Sequence, residues 1–180
     1  MKKHILFFAL AFISPIISQA QGSVSTTYSD SWDNWEINVG GSGSLRTTYS
    51  NSWDNWEIKF GNVSGTIRTT YSASYDNWEI SIDGKTYKLR TTYSKSWDNW
   101  ELSDGDLSET VKINTTYSNS WDNWELDSGS DDFKMRTTYS ESWGNWEISG
   151  SLDNANNGVK AVAAFIPVFV ASIYKKGLAK

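Results

Sequence analysis

The chain has no cysteine and one histidine, His4, among its 180 residues. Without cysteine there is no disulfide, no thiolate nucleophile and no lipid anchor on an N-terminal cysteine. His4 lies in a leader that the sequence predicts is removed. Lys2 and Lys3 give it a positive start, Ile5 to Ile17 is mostly apolar, and Ser18-Gln19-Ala20 ends in small residues. That is the pattern of a secretory signal peptide over residues 1–20, cleaved after Ala20. The exported chain then holds neither His nor Cys. The usual zinc ligands, histidine general bases and Ser-His-Asp triads are excluded together. Basic residues are also scarce. Loss of Lys2 and Lys3 leaves 14 of the 16 Lys and Arg residues against 21 acids, a net charge of −7. Nucleic-acid phosphate needs a basic patch, so nucleic acid is not expected as a partner. No long hydrophobic run is present either. The two apolar stretches, Ile5–Ile17 and Val159–Tyr174, are short for a transmembrane helix.

What fills the chain is one twelve-residue phrase, TTYSxSWDNWE[IL], in six near-copies starting at Thr26, Thr47, Thr69, Thr91, Thr115 and Thr137. The steps are 21, 22, 22, 24 and 22 residues. A fixed period of this length marks a repeat architecture in which each unit buries its apolar face against its neighbours. Each unit reads as two short strands of about five or six residues around a turn. In the second copy Leu45, Thr47 and Tyr49 alternate with Arg46, Thr48 and Ser50. After the turn, Trp56, Ile58 and Phe60 alternate with Asn55, Glu57 and Lys59. Asn51-Ser52-Trp53-Asp54 supplies turn chemistry, because Ser, Asp and Asn side chains bond nearby backbone. Gly- and Ser-rich links carry all the length variation.

A β-solenoid and an antiparallel meander both suit this repeat. The curli-type amyloids resemble it in period, but the Gln/Asn/Gly spacing of curlin repeats is missing. Charge placement favours the meander. The residue before TTYS is Arg46, Arg68, Arg90 or Arg136 in four units, and the residue after the second Trp is Glu36, Glu57, Glu79, Glu101, Glu125 or Glu147, without exception. A solenoid would stack the glutamates in one column about 4.8 Å apart, each pair repelling by about 1 kcal/mol even in water. A meander interleaves Arg and Glu, and opposite charges across strands stabilise by roughly 0.2–1 kcal/mol. Ser25, in place of Arg, is expected to mark a sheet edge. The layout is similar in period and strand count to MORN-type hairpin repeats, but their glycine pattern is missing, so nothing is carried over.

The expected organisation is therefore all-β: six tandem hairpins over residues 21–150, in an antiparallel meander sheet or barrel, a linker at 151–158, and a C-terminal apolar helix at 159–180. Val162, Phe165, Ile166, Phe169 and Ile173 fall at helical spacing, and Pro167 predicts a kink or break. The expected apolar face comprises the residue before Arg, then Tyr, then the second Trp and the Ile or Leu of each unit. The helix is expected to cover that face or plug a barrel.

The second tryptophan of each copy never varies and is read as core. The first, at Trp32, Trp53, Trp97, Trp121 and Trp143, becomes Tyr75 in the third copy and sits in the turn. A row of such aromatics beside Asp and Asn is a physically sensible glycan site, and these six positions are the ligand-binding candidates. Their plainer reading is a cap on each hairpin end. Calcium is disfavoured, since no D-x-[DN]-x-[DN]-G loop is present and Gly144 replaces the Asp in the last copy. No cofactor, metal or catalytic residue is expected. A Glu kept in every unit suits charge pairing and not a single active site, and no phosphate loop, G-x-S-x-G or H-E-x-x-H pattern occurs. The functional expectation is a secreted or cell-surface, non-enzymatic binding module with glycan as the leading partner. Self-association through sheet edges and membrane contact by the C-terminal helix are the alternatives.

Overall fold

A computed structural model describes residues 22–72, 74–118, 120–128, 132–150 and 154–178. The expected signal peptide lies outside the described residues. Twelve strands follow in order: β1 (Gly22–Thr26), β2 (Asn34–Asn38), β3 (Ser42–Thr47), β4 (Asn55–Phe60), β5 (Val63–Tyr71), β6 (Ser74–Ile82), β7 (Lys85–Thr91), β8 (Asn99–Asp104), β9 (Val111–Thr115), β10 (Asn123–Asp127), β11 (Asp132–Thr137) and β12 (Asn145–Ser149). One helix, α1 (Asn157–Lys175), ends the fold. Every strand pairs antiparallel with its neighbour in sequence, and β1 pairs with β12, so the meander closes into a barrel.

The charge argument holds in register. Arg46 faces Glu57, Arg68 faces Glu79, Arg90 faces Glu101 and Arg136 faces Glu147. Three of these pairs close to 2.9, 3.0 and 3.6 Å. Arg68 instead donates from Nε to Asn55 Oδ1 at 3.1 Å. In the fifth copy, where Asn114 stands in place of Arg, Lys134 approaches Glu125 at 3.6 Å. All are solvent-exposed, so each contributes at most about 1 kcal/mol. Their main consequence is to penalise a one-residue slip, which would turn charges inward.

Ser25 does not mark an edge. It pairs with Asn145 of β12 on one side and Glu36 of β2 on the other. Closure removes the unpaired edges that an open sheet would expose. β5 and β6 are also longer than expected, at nine residues each. In that unit the ladder runs on, past a bulge, to a Tyr71–Ser74 pair.

The barrel is packed solid. Twelve strands about 4.8 Å apart and tilted by about 40° close into a backbone cylinder roughly 24 Å across. A helix on the axis then sits about 12 Å from the wall, so long inward side chains are needed to reach it. The sequence supplies them: Trp35, Trp56, Trp78, Trp100, Trp124 and Trp146 point inward and are at most 2 % exposed. α1 is apolar on nearly all sides and, Lys160 excepted, is buried from Gly158 to Ile173, as a helix with almost no polar face must be. Phe165 and Phe169 stack on each other at 5.4 Å and meet Trp78 edge-on at 5.0 and 4.7 Å. The outer wall is polar and charged, the reverse of a lipid-facing barrel.

The helix begins at Asn157, within the stretch expected as linker, because Asn156 caps it. The Asn156 side chain accepts from the Val159 N–H at 2.8 Å. It ends at Lys175, and it runs through Pro167 unbroken. The expected break fails because the enclosing barrel supports the helix on every side.

A second expectation also fails. The repeated tyrosine is not on the apolar face. Tyr28, Tyr49, Tyr71, Tyr93, Tyr117 and Tyr139 are 67–74 % exposed. In five copies the strand stops at the first Thr of TTYS, and the sixth, β5, carries its bulge there, so the alternation that placed Tyr inward has lost phase.

Candidate binding rim

The six hairpin turns lie at one end of the barrel, here the turn rim, and the Gly- and Ser-rich links lie at the other, the link rim. The turn is built the same way in five copies, the third excepted. The Tyr28 carbonyl accepts from the Ser31 N–H at 3.1 Å, and the equivalent bonds from Ser52, Ser96, Ser120 and Ser142 are 2.9–3.0 Å. The variable residue between the two serines takes a left-handed conformation, with φ of 62° at Asp30, 61° at Asn51, and 59° at both Lys95 and Glu141. That requirement favours Asn and Asp and strains Lys and Glu.

The spacing of the two aromatics in SWDNW now has a cause. Each buried indole N–H donates to the carbonyl three residues earlier: Trp35 to Trp32, Trp56 to Trp53, Trp78 to Tyr75, Trp100 to Trp97, Trp124 to Trp121 and Trp146 to Trp143, at 2.7–3.0 Å. The acceptor is backbone, so Tyr75 serves as well as Trp. The rings also touch, with centroids 5.7–6.2 Å apart in the first five copies.

This places the six candidate residues. Trp53 is buried, and Trp32, Tyr75, Trp97, Trp121 and Trp143 are half-buried against the core. They form a collar around the C-terminal end of α1. Tyr75 and Trp97 meet Phe169 at 5.4 and 6.3 Å, and Trp121 and Trp143 meet Tyr174 at 6.2 and 5.4 Å. The Lys175 ammonium lies 4.7 Å from the Trp143 ring, and Ser172 Oγ donates to the Trp32 carbonyl at 2.9 Å. Burial raises the Tyr75 phenol pKa, and the Asp54 charge adds to it. The collar thus packs around the helix end with its rings buried or half-buried.

The repeated Asp ties one turn to the next. In four junctions its carbonyl accepts the N–H of the following copy's first Thr: Thr47 from Asp33, Thr69 from Asp54, Thr115 from Asp98 and Thr137 from Asp122, at 2.9–3.0 Å. Carboxylates also reach across, Asp98 to Ser118 Oγ at 3.4 Å among them. Asp76 accepts from Thr91 Oγ1, Ser94 Oγ and the Lys95 N–H at 2.8–3.1 Å, and Asp122 from Thr137 Oγ1, the Glu141 N–H and Trp143 Nε1 at 2.8–3.2 Å. Asp33, Asp54 and Asp98 hold a serine of their own turn. Among the described residues no cluster of three or more acidic side chains is placed to hold a metal ion.

What remains free on the turn rim is the tyrosine ring. Each Tyr is followed by an exposed Ser. The sequence reading placed the tyrosine inward because Thr and Tyr continue a strand-like pattern. The available signal was invariance in all six copies at a position that need not be core.

At the link rim, Tyr87 lies buried between Gly105 and Gly158, and its hydroxyl donates to Asp106. Asp106 also accepts from Asn156 Nδ2 at 3.2 Å, so this network positions the helix cap. Burial first, then the Asp106 bond, raises the Tyr87 phenol well above its ordinary range. On the outer wall a shallow groove of about 330 Å³ is lined by Ser44, Arg46, Glu57, Lys59, Ser64 and Thr66, among others. Its Arg46–Glu57 pair is the same cross-strand charge pair that recurs at Arg90–Glu101 and Arg136–Glu147. No known protein family, curated protein or solved structure matches this chain.

Proposed function

We propose that this chain is an exported, non-enzymatic binding protein whose turn rim holds glycans through the ring of six tyrosines. The observation that carries the reading is an invariant, solvent-exposed Tyr in every copy, at a position that contributes nothing to the core. An exposed aromatic face suits the apolar C–H face of a pyranose. The phenol hydroxyl, the adjacent serine and nearby carboxylates suit its hydroxyl groups. Tyr gives large contact area with few rotatable bonds, so little entropy is lost on binding. Six equivalent weak sites on one rigid rim multiply into avidity. The six collar positions put forward from the sequence support the rim from beneath. Membrane contact by α1 would require the helix to leave the barrel, because its apolar surface is buried there.

The test is a glycan array probed with residues 21–180 and with a variant carrying Tyr→Ala at positions 28, 49, 71, 93, 117 and 139. Binding that disappears in a variant with an unchanged circular dichroism spectrum and melting profile supports the reading. Binding that survives discards the rim as the site.

A further inference from the structure

We infer that adjacent tyrosines of the rim work in pairs, bridged by one extended neutral polysaccharide. This rests on the glycan reading above and narrows it to a polymer class. Two observations carry it. The first is spacing. Successive tyrosines stand on hairpins two strands apart around a closed barrel. With strands about 4.8 Å apart and tilted by about 40°, neighbours around the rim are separated by roughly 10–13 Å. That is about the length of two sugar units in an extended chain. A single monosaccharide cannot touch two rings, and a tetrasaccharide or longer can. The second observation is charge. Around the rim, Asp30, Glu141 and the five repeat Asp residues outnumber Lys95, Lys175 and Lys176. The carboxylates on this surface would repel a uronate or sulfated polymer, while they accept hydroxyl protons from a neutral one.

Ring closure makes the pairing testable by arithmetic. Six tyrosines around a closed rim make six adjacent pairs. Replacing Tyr28, Tyr49 and Tyr71 with Ala leaves Tyr93, Tyr117 and Tyr139, which are two adjacent pairs. Replacing Tyr49, Tyr93 and Tyr139 leaves three tyrosines and no adjacent pair. The composition of the two variants is identical. All six side chains are exposed, so neither variant is expected to lose the fold, and a thermal melt checks this.

The experiment is surface-immobilised binding to mixed-linkage β-glucan, xylan and galactomannan, with polygalacturonate and a sulfated polysaccharide as acidic probes. The contiguous variant is expected to weaken by about threefold, in proportion to the pairs lost. The alternating variant is expected to weaken by about a hundredfold, as bridging is abolished. Disaccharides are expected to show no difference between the two. Equal loss in both variants would mean independent sites and would overturn the pairing while leaving the glycan reading intact. Tighter binding to an acidic polymer would overturn the neutral class. Full binding by the variant lacking all six tyrosines would overturn both readings together.

Discussion

Gly144→Asp is expected to stabilise the protein, and the reason lies in barrel closure. The last copy is the one that lacks the repeat Asp, and the last copy is also the one that meets the first. At that junction the only bond across the turn rim that matches its neighbours is backbone, from the Thr26 N–H to the Gly144 carbonyl at 2.9 Å. Equivalent junctions add a carboxylate. Asp122 takes Thr137 Oγ1 and the Glu141 N–H, whose counterparts across the seam are Thr26 Oγ1 and the Asp30 N–H. Space is available, since a Cβ on Gly144 would lie 3.4 Å from Thr26 Oγ1 and 3.7 Å from its methyl carbon, an ordinary contact. The backbone is also permissive, because Gly144 is not among the residues with positive φ.

Two terms then add. Replacing Gly by any residue that fits removes freedom from the unfolded chain and is worth about 0.4–1 kcal/mol. One or two hydrogen bonds to a half-exposed carboxylate add about 1–1.5 kcal/mol. Gly144→Ala isolates the first term and Gly144→Asp contains both. Urea unfolding at constant slope separates them, with the Asp variant expected about 1 kcal/mol above the Ala variant. In a Thr26→Val background about half of that difference should vanish, as a double-mutant cycle would reveal. If Asp is no better than Ala, the carboxylate does not clasp, and the account of the rim as a ring of inter-copy bonds is wrong.

Three further outcomes follow from the same geometry. Phe169→Ala removes a ring packed on Phe165, Trp78, Trp100 and Tyr75 and is expected to cost about 3–5 kcal/mol in urea unfolding; a cost under about 1.5 kcal/mol would mean α1 is not tightly held. Lys95→Gly relieves a left-handed lysine while keeping the backbone bond to Asp76, so a gain of about 0.5–1 kcal/mol is expected, and a loss would contradict the turn geometry. For Tyr87, whose folded pKa is raised above its ordinary value of 10, the contribution is fully present below pH 10. It is lost as the pH climbs above 10, because the unfolded chain ionises first. Unfolding measured at about pH 9 and about pH 11 should show a fall that is shallower in Tyr87→Phe, with the remainder expected from Tyr75 and Lys88; an unchanged slope would remove Tyr87 as a contributor.

The antiparallel order was legible because opposite charges stood at fixed places on successive strands, and only a meander brings Arg46 to Glu57 or Arg90 to Glu101. The helix was legible from the spacing of Phe165 and Phe169. Closure was not. Ser25 and Gly144 break the repeat at its two ends, and that looks the same whether the ends are free or joined. The joined state depends on filling a lumen about 24 Å wide, a property of all twelve strands and the helix together. The exposure of the repeated tyrosine was not legible, for a local reason. Period-two alternation continues through Thr-Thr-Tyr because these residues suit strands, yet the left-handed residue two positions later sets where the turn begins. That residue is Asp30, Asn51, Lys95 or Glu141, too varied to read as a turn signal by itself.

The repeated phrase can now be divided by what holds each position constant. The first Thr closes the junction to the preceding copy, and the serines shape the turn. The first aromatic supplies a carbonyl and a supporting ring, the second fills the gap between wall and helix, and the Asp and Glu bond across copies and strands. Each of these roles belongs to folding, and each explains an invariant residue through a bond or a buried surface. The Tyr ring has neither. Its backbone carbonyl carries the turn, which any residue could do, and its side chain lies 67–74 % in water six times over. A large exposed aromatic kept in six copies gives up solubility without returning stability. In the proposed reading that ring makes contact with something outside the chain, and a circle of them on one rigid rim suits a ligand that is itself a repeat.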